Sequence, residues 1–217
     1  MASAVEDSAG AGPGRADPTQ GTNVQFVPTS IADPGPLGLA AFALTTFVLS
    51  MFNAGLVGGG GEPVVLGLAL AYGGLAQLLA GMWEFRTGNT FGAVAFTSYG
   101  AFWLSFFALV QFFAKGIPQA DAGHAVGLYL IAWGIFTLYM TIAALRTTGA
   151  VLAVFILLTT TFFLLGIGNW ADRTGIVHAG GYVGLATAAA AWYTSFAIVT
   201  ASTFGRVILP VMPLKHE

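Results

Sequence analysis

Six apolar stretches, each about 20 residues or longer, dominate this chain, and none carries an ionisable side chain in its middle. They run over 36–58, 63–83, 91–114, 123–145, 149–169 and 177–204. At 1.5 Å of rise per residue, about 20 helical residues cross the roughly 30 Å hydrocarbon layer of a bilayer. Within lipid, only helices and closed barrels satisfy every backbone N–H and C=O. Barrel strands would alternate apolar and polar residues over about ten positions, and these stretches do not. The predicted class is therefore all-α: a polytopic bundle of six transmembrane helices. Composition agrees. Hydrophobic residues make up 56% of the chain and charged residues 7%, against roughly 25% charged in a typical soluble domain. Such a surface needs the lipid bilayer as its solvent.

The charges fall between the stretches, at Glu62, at Glu84 and Arg86, at Lys115 and Asp121, at Arg146, and at Asp172 and Arg173. If the first residues lie inside, the inner side holds Arg15, Arg86, Arg146, Arg206 and Lys215, and the outer side only Lys115 and Arg173. That asymmetry predicts both termini in the cytoplasm. The protein is expected to divide into a disordered cytoplasmic N-terminal tail (1–31), a transmembrane transport domain (32–210) and a short cytoplasmic C-terminal tail (211–217). Residues 1–31 are rich in Gly, Ala, Pro and Asp without apolar periodicity. They also lack the basic-then-apolar pattern of a secretory leader. A net charge of −2 disfavours nucleic acid as a partner, which calls for a basic surface. The chain has no cysteine, which removes disulfides and thiolate metal sites. Three separated histidines, His124, His178 and His216, make no ligand cluster, so neither metal nor cofactor is expected. Enzyme motifs are absent as well.

Two regions could carry chemistry. The first is the entry to the first helix, Asp33-Pro34-Gly35-Pro36-Leu37-Gly38-Leu39. Asp33 suits a cap, proline suits a first turn, and free backbone N–H groups there favour anions. A well-capped helix start would explain the same residues. The second runs from Tyr72 to Phe106. Gln77 and Glu84 share a face of the second helix, and Thr97, Ser98 and Tyr99 follow in the third. Their hydroxyls either bond carbonyls one turn back or line a wet path. Asn169 closes the fifth stretch. A path without ionisable groups at depth suits a small, weakly hydrated solute. A carboxylic acid with a pKa near about 4.3 is less than about 1% neutral at pH 7, and that fraction rises tenfold per unit of acidification.

The opening motif, with YGGLAQ (72–77), GNTFG (88–92), AFTSYGAFWL (95–104), WGIFTL (133–138) and IGN (167–169), resembles the acetate uptake transporter family over residues 32–210. The family's opening motif is Asn-Pro-Ala-Pro-Leu-Gly-Leu, so Asp33 replaces its Asn and Gly35 its Ala. Asp33 adds a negative charge near a path for anions. The resemblance implies a homohexamer in the cell membrane, with a substrate path and an apolar mid-path constriction in each protomer. By motif position it places Phe42, Tyr99 and Leu158 at the constriction and Ala191 where substrate size is tuned. The implied function is transport of acetate and similar small monocarboxylates, with succinate a further substrate, by proton-linked uptake. A passive acetate channel, a channel for ammonia or urea, and a membrane sensor without flux are the competing readings.

Overall fold

The computed structural model describes residues 31–214. The tail expected over 1–31 thus lies outside the described residues except for Ile31, as do residues 215–217. Among the described residues six helices are long and apolar enough to cross a membrane: α1 (Gly35–Asn53), α2 (Val64–Thr87), α3 (Thr90–Gly116), α4 (Gln119–Ala144), α5 (Gly149–Trp170) and α6 (Thr174–Phe204). Among the described residues there is no β-strand, only an isolated bridge between Thr148 and Pro213. The protein is an all-α, multi-pass membrane protein.

Helix ends are set by local chemistry. Gly88 adopts φ 79° and ends α2, and the Asn89 side chain then caps α3 by accepting from the Gly92 N–H at 3.1 Å. Both are turn conformations that Gly and Asn favour. Thr148 caps α5 in the same way, through the Val151 N–H at 3.2 Å. Helices α4 and α6 start a few residues before the apolar stretches at 123 and 177. Asp121 sits in the first turn of α4, where a carboxylate complements the helix dipole. Two helices carry a π-turn that hydropathy does not announce, Ala71–Ala76 in α2 and Leu109–Phe113 in α3.

Helices pair most extensively as α1 with α6, α5 with α4 and α6, and α2 with α3. Small residues permit this. A Cβ on Gly181 would collide with the Ala54 backbone, and one on Gly100 would lie 2.6 Å from the Leu78 nitrogen. In lipid, where apolar burial drives little association, such close packing is what holds helices together. Helical threonines hide their hydroxyls by donating one turn back, as Thr45 does to the Ala41 carbonyl at 2.9 Å and Thr137 to Trp133 at 2.7 Å. Past α6, residues 211–214 run along the α4–α5 turn. The Gly149 N–H donates to the Met212 carbonyl at 2.7 Å, and the Leu214 N–H to the Thr147 carbonyl at 3.0 Å.

Candidate functional site

Helix alternation puts the α1–α2, α3–α4 and α5–α6 connections on one face of the bundle. A polar vestibule of about 820 Å³ opens there, bounded by Glu62, the start of α4 and the α5–α6 turn. Asn53, Glu62, Ala122 and Asn169 line both this vestibule and an inner cavity of about 310 Å³. Rows of side chains one or two turns apart form the inner wall. On α1 they are Phe42, Thr46, Leu49, Ser50 and Asn53, and on α5 Leu158, Thr161, Phe162, Leu165 and Asn169. From Asn53 to Phe42 is 11 residues, about 16 Å of helix. Phe42 and Leu158 therefore stand at the deep end, and both are buried.

Behind them the bundle is closed by aromatic rings. The Tyr99 ring centroid lies 5.9 Å from Phe42 and 6.1 Å from Phe155. Its hydroxyl donates to Thr137 Oγ1 at 3.0 Å, which fixes the ring against α4. Ala191 is fully buried in α6.

The face beyond holds close side-chain contacts. Asp33 Oδ1 accepts from the Gly35 N–H at 2.8 Å, one residue before the helix cap at Pro34. Ser195 Oγ donates to the Pro36 carbonyl at 2.7 Å, tying α6 to the first turn of α1. Gly38 lies under the Phe96 ring, Leu39 is buried and Leu37 is exposed. Glu84 is only 2% exposed, accepts from the Thr87 hydroxyl at 3.1 Å and packs on Gly92, where a Cβ would lie 2.7 Å from its carboxyl.

The structure thus brings Phe42, Leu158 and Asn169 to one cavity, with Tyr99 behind its floor. It places the 33–39 motif and Glu84 at the opposite end; Thr97 packs on Gly81 of α2, and none of Gln77, Thr97 and Ser98 lines the cavity. Gln77 Oε1 and Thr97 Oγ1 are buried without a hydrogen-bond partner. Asn169 Nδ2 donates to the Leu165 carbonyl at 2.8 Å. Sequence reasoning missed Thr46, Ser50, Asn53, Glu62 and Thr161. The spacing of 42, 46, 50 and 53 on α1, one helix face, is the signal that could have found three of them. The Glu62 carboxyl at the cavity mouth is raised from its ordinary value by desolvation. Among the described residues no three His, Asp or Glu side chains converge as a metal set.

A family model described as the GPR1/FUN34/yaaH family matches residues 16–216. The chain belongs to the GPR1/FUN34/yaaH family. This family member is 41% identical over 183 residues to the succinate-acetate/proton symporter SatP of Escherichia coli, covering 84% of the present chain and 96% of the relative. It is 47% identical over 188 residues to accumulation of dyads protein 2 of Saccharomyces cerevisiae, covering 84% of this chain but only 66% of that protein. The chain therefore spans just under two-thirds of its yeast relative. A solved structure of the bacterial acetate channel SatP superposes with a TM-score of 0.79 at 40% identity, over 84% of this chain and 99% of that one.

Proposed function

We propose that this protein carries acetate and similar small monocarboxylates across a cell membrane, through a path inside each six-helix protomer. The observation that carries the reading is the row of cavities ending at Phe42 and Leu158 in a chain that is 41% identical to a succinate-acetate/proton symporter. A solute would leave the vestibule between Asn53 and Asn169 and meet the hydroxyls of Thr46, Ser50 and Thr161. It would then cross the layer of Phe42, Leu158 and Tyr99. That apolar layer discriminates by desolvation. A monocarboxylate strips one charge of water, or none when protonated, whereas a dianion strips two, and each buried ion costs several kcal/mol. Succinate is accordingly the poorer substrate. Ala191, buried in α6, is the position where side-chain size would tune the acid accepted.

No acid or base stands in the middle of the path, so the proton of a symport cycle travels with the substrate. Uptake through a hexamer of such protomers, with both termini in the cytoplasm and the protein in the plasma membrane, completes the reading. Asp33 and Glu84 at the far end give a departing anion nothing to bind.

Labelled-acetate flux into liposomes of the purified protein tests this. Flux that follows an imposed acid step, is electroneutral and is not competed by urea is the expected result. Vesicles that stay impermeable to acetate would refute the function, and a steady acetate current with Nernstian reversal would replace symport by a channel.

A further inference from the structure

The vestibule carries a set of ionisable side chains that the transport reading does not use. Glu62 comes from the end of the four-glycine turn Gly58–Gly61, His124 from the first turns of α4, Asp172 and Arg173 from the α5–α6 turn, and His178 from the start of α6. All five line one space, and Glu62 also borders the inner cavity. The imidazoles are held in place. His124 meets Trp170 edge to face with centroids 5.1 Å apart, and a Cβ on Gly55 would lie 2.8 Å from His178 Nε2. Lys115 and Asp121 stand nearby at the same face, outside the lining, and offset one another in charge.

The charge of this lining depends on its protons. With Glu62 and Asp172 ionised against Arg173, and both imidazoles neutral, it carries one net negative charge. With both imidazoles protonated and Glu62 neutral, it carries two net positive charges. Histidine is the side chain that changes charge between pH 5 and 8, and desolvation raises the Glu62 carboxyl. A concave space with low-dielectric walls focuses such a charge. It can raise the local concentration of a small counter-ion by about 10-fold or more.

We infer that the vestibule is an anion-collecting site for small carboxylates, switched from repelling to attracting by protonation of Glu62, His124 and His178. This rests on the transport reading above and adds a separate step to it. Acidification then does two things. It supplies protonated acid to the apolar layer, and it gathers the ionised acid at the mouth.

Methanesulfonate separates the two effects, because it is close to acetate in size and stays ionised throughout this pH range. Its inhibition of labelled-acetate flux is measured in liposomes of the full-length protein, with acetate held far below half-saturation. In the wild-type protein it should bind about 10-fold more tightly at about pH 5.5 than at about pH 7.5. In the His124→Gln, His178→Gln double variant that gain should shrink to about twofold. In Glu62→Gln, affinity at about pH 7.5 should already be about threefold higher than in the wild type. Glu62 sits on an exposed turn, so this arm stands even if the histidine variants fold poorly. Equal inhibition of the wild type at both pH values, or no inhibition at either, overturns the inference. So does a full pH gain retained in both variants. Absence of acetate flux in the wild type is a different result and overturns the transport reading itself.

Discussion

The two ends of this bundle are built on opposite plans. Toward the α1–α2 and α5–α6 connections it is hollow, with a vestibule and a cavity meeting at Asn53 and Asn169. Toward the start of α1 it is closed. Asp33 holds the first turn, Ser195 ties α6 to Pro36, and Glu84 is buried against Gly92. Phe42 and Leu158 divide the two. The contrast teaches that polar residues alone do not mark a path. The closed end holds Glu84, the most buried carboxylate among the described residues, while the inner cavity of the hollow end is lined largely by Phe, Leu and a few hydroxyls. Burial with a partner makes a polar group structural. A polar group facing empty space can touch a solute.

The sharpest way to break this division is to remove its boundary. Phe42→Ala should let succinate through about tenfold faster in proteoliposomes, as a barrier lowered by ~1.4 kcal/mol would. It should also cost about 3–5 kcal/mol of stability, the usual effect of emptying a buried Phe site. Leu158→Ala should act in the same direction. Succinate flux that stays flat in both would remove these residues from the constriction. Filling the hollow end should do the converse. Val126→Trp, on the α4 wall of the cavity, should cut acetate flux about fivefold, equivalent to ~1 kcal/mol of added barrier, with melting shifted by less than about 4 °C.

In the closed end the effects should be smaller and confined to stability. Ser195→Ala removes the bond to the Pro36 carbonyl, worth about 1 kcal/mol. It should lower the melting temperature by about 2–4 °C, while acetate flux stays within about twofold. Smallest of all, Tyr99→Phe keeps the ring and leaves Thr137 bonded to Trp133. It should cost about 0.5–1 kcal/mol and leave the preference for acetate over succinate unchanged. A large loss of selectivity in Tyr99→Phe would mean that the hydroxyl, not the ring, guards the path.

The bundle was legible in the sequence because each crossing must be apolar for its whole length, and hydropathy reads that directly. The two π-turns were not, since they keep the same apolar residues and change only the hydrogen-bond register. The contacts at Gly181 and Gly100 were hidden for another reason. Thirty glycines give no sign of which one meets a neighbouring backbone. Phe42 and Leu158 came from family resemblance, and by composition they look like packing. Gln77, Glu84, Thr97 and Ser98 drew attention because polar groups in lipid demand an explanation. In Glu84 the explanation is a local bond network, and Thr97 packs where Gly81 leaves room for it. Ser50 and Asn53 were overlooked because each is unremarkable alone. Only their spacing with Phe42 and Thr46 marks a common face.

The chain has no cysteine, so single cysteines can report which end is hollow while flux is followed. Ser50→Cys in the cavity and Ser195→Cys in the closed end are treated in proteoliposomes with a charged, membrane-impermeant thiol reagent. Modification of Ser50→Cys with loss of acetate flux, and protection of Ser195→Cys with flux intact, is the expected outcome. Equal labelling of both positions, or full acetate flux through a completely modified Ser50→Cys protein, would contradict a path through this cavity.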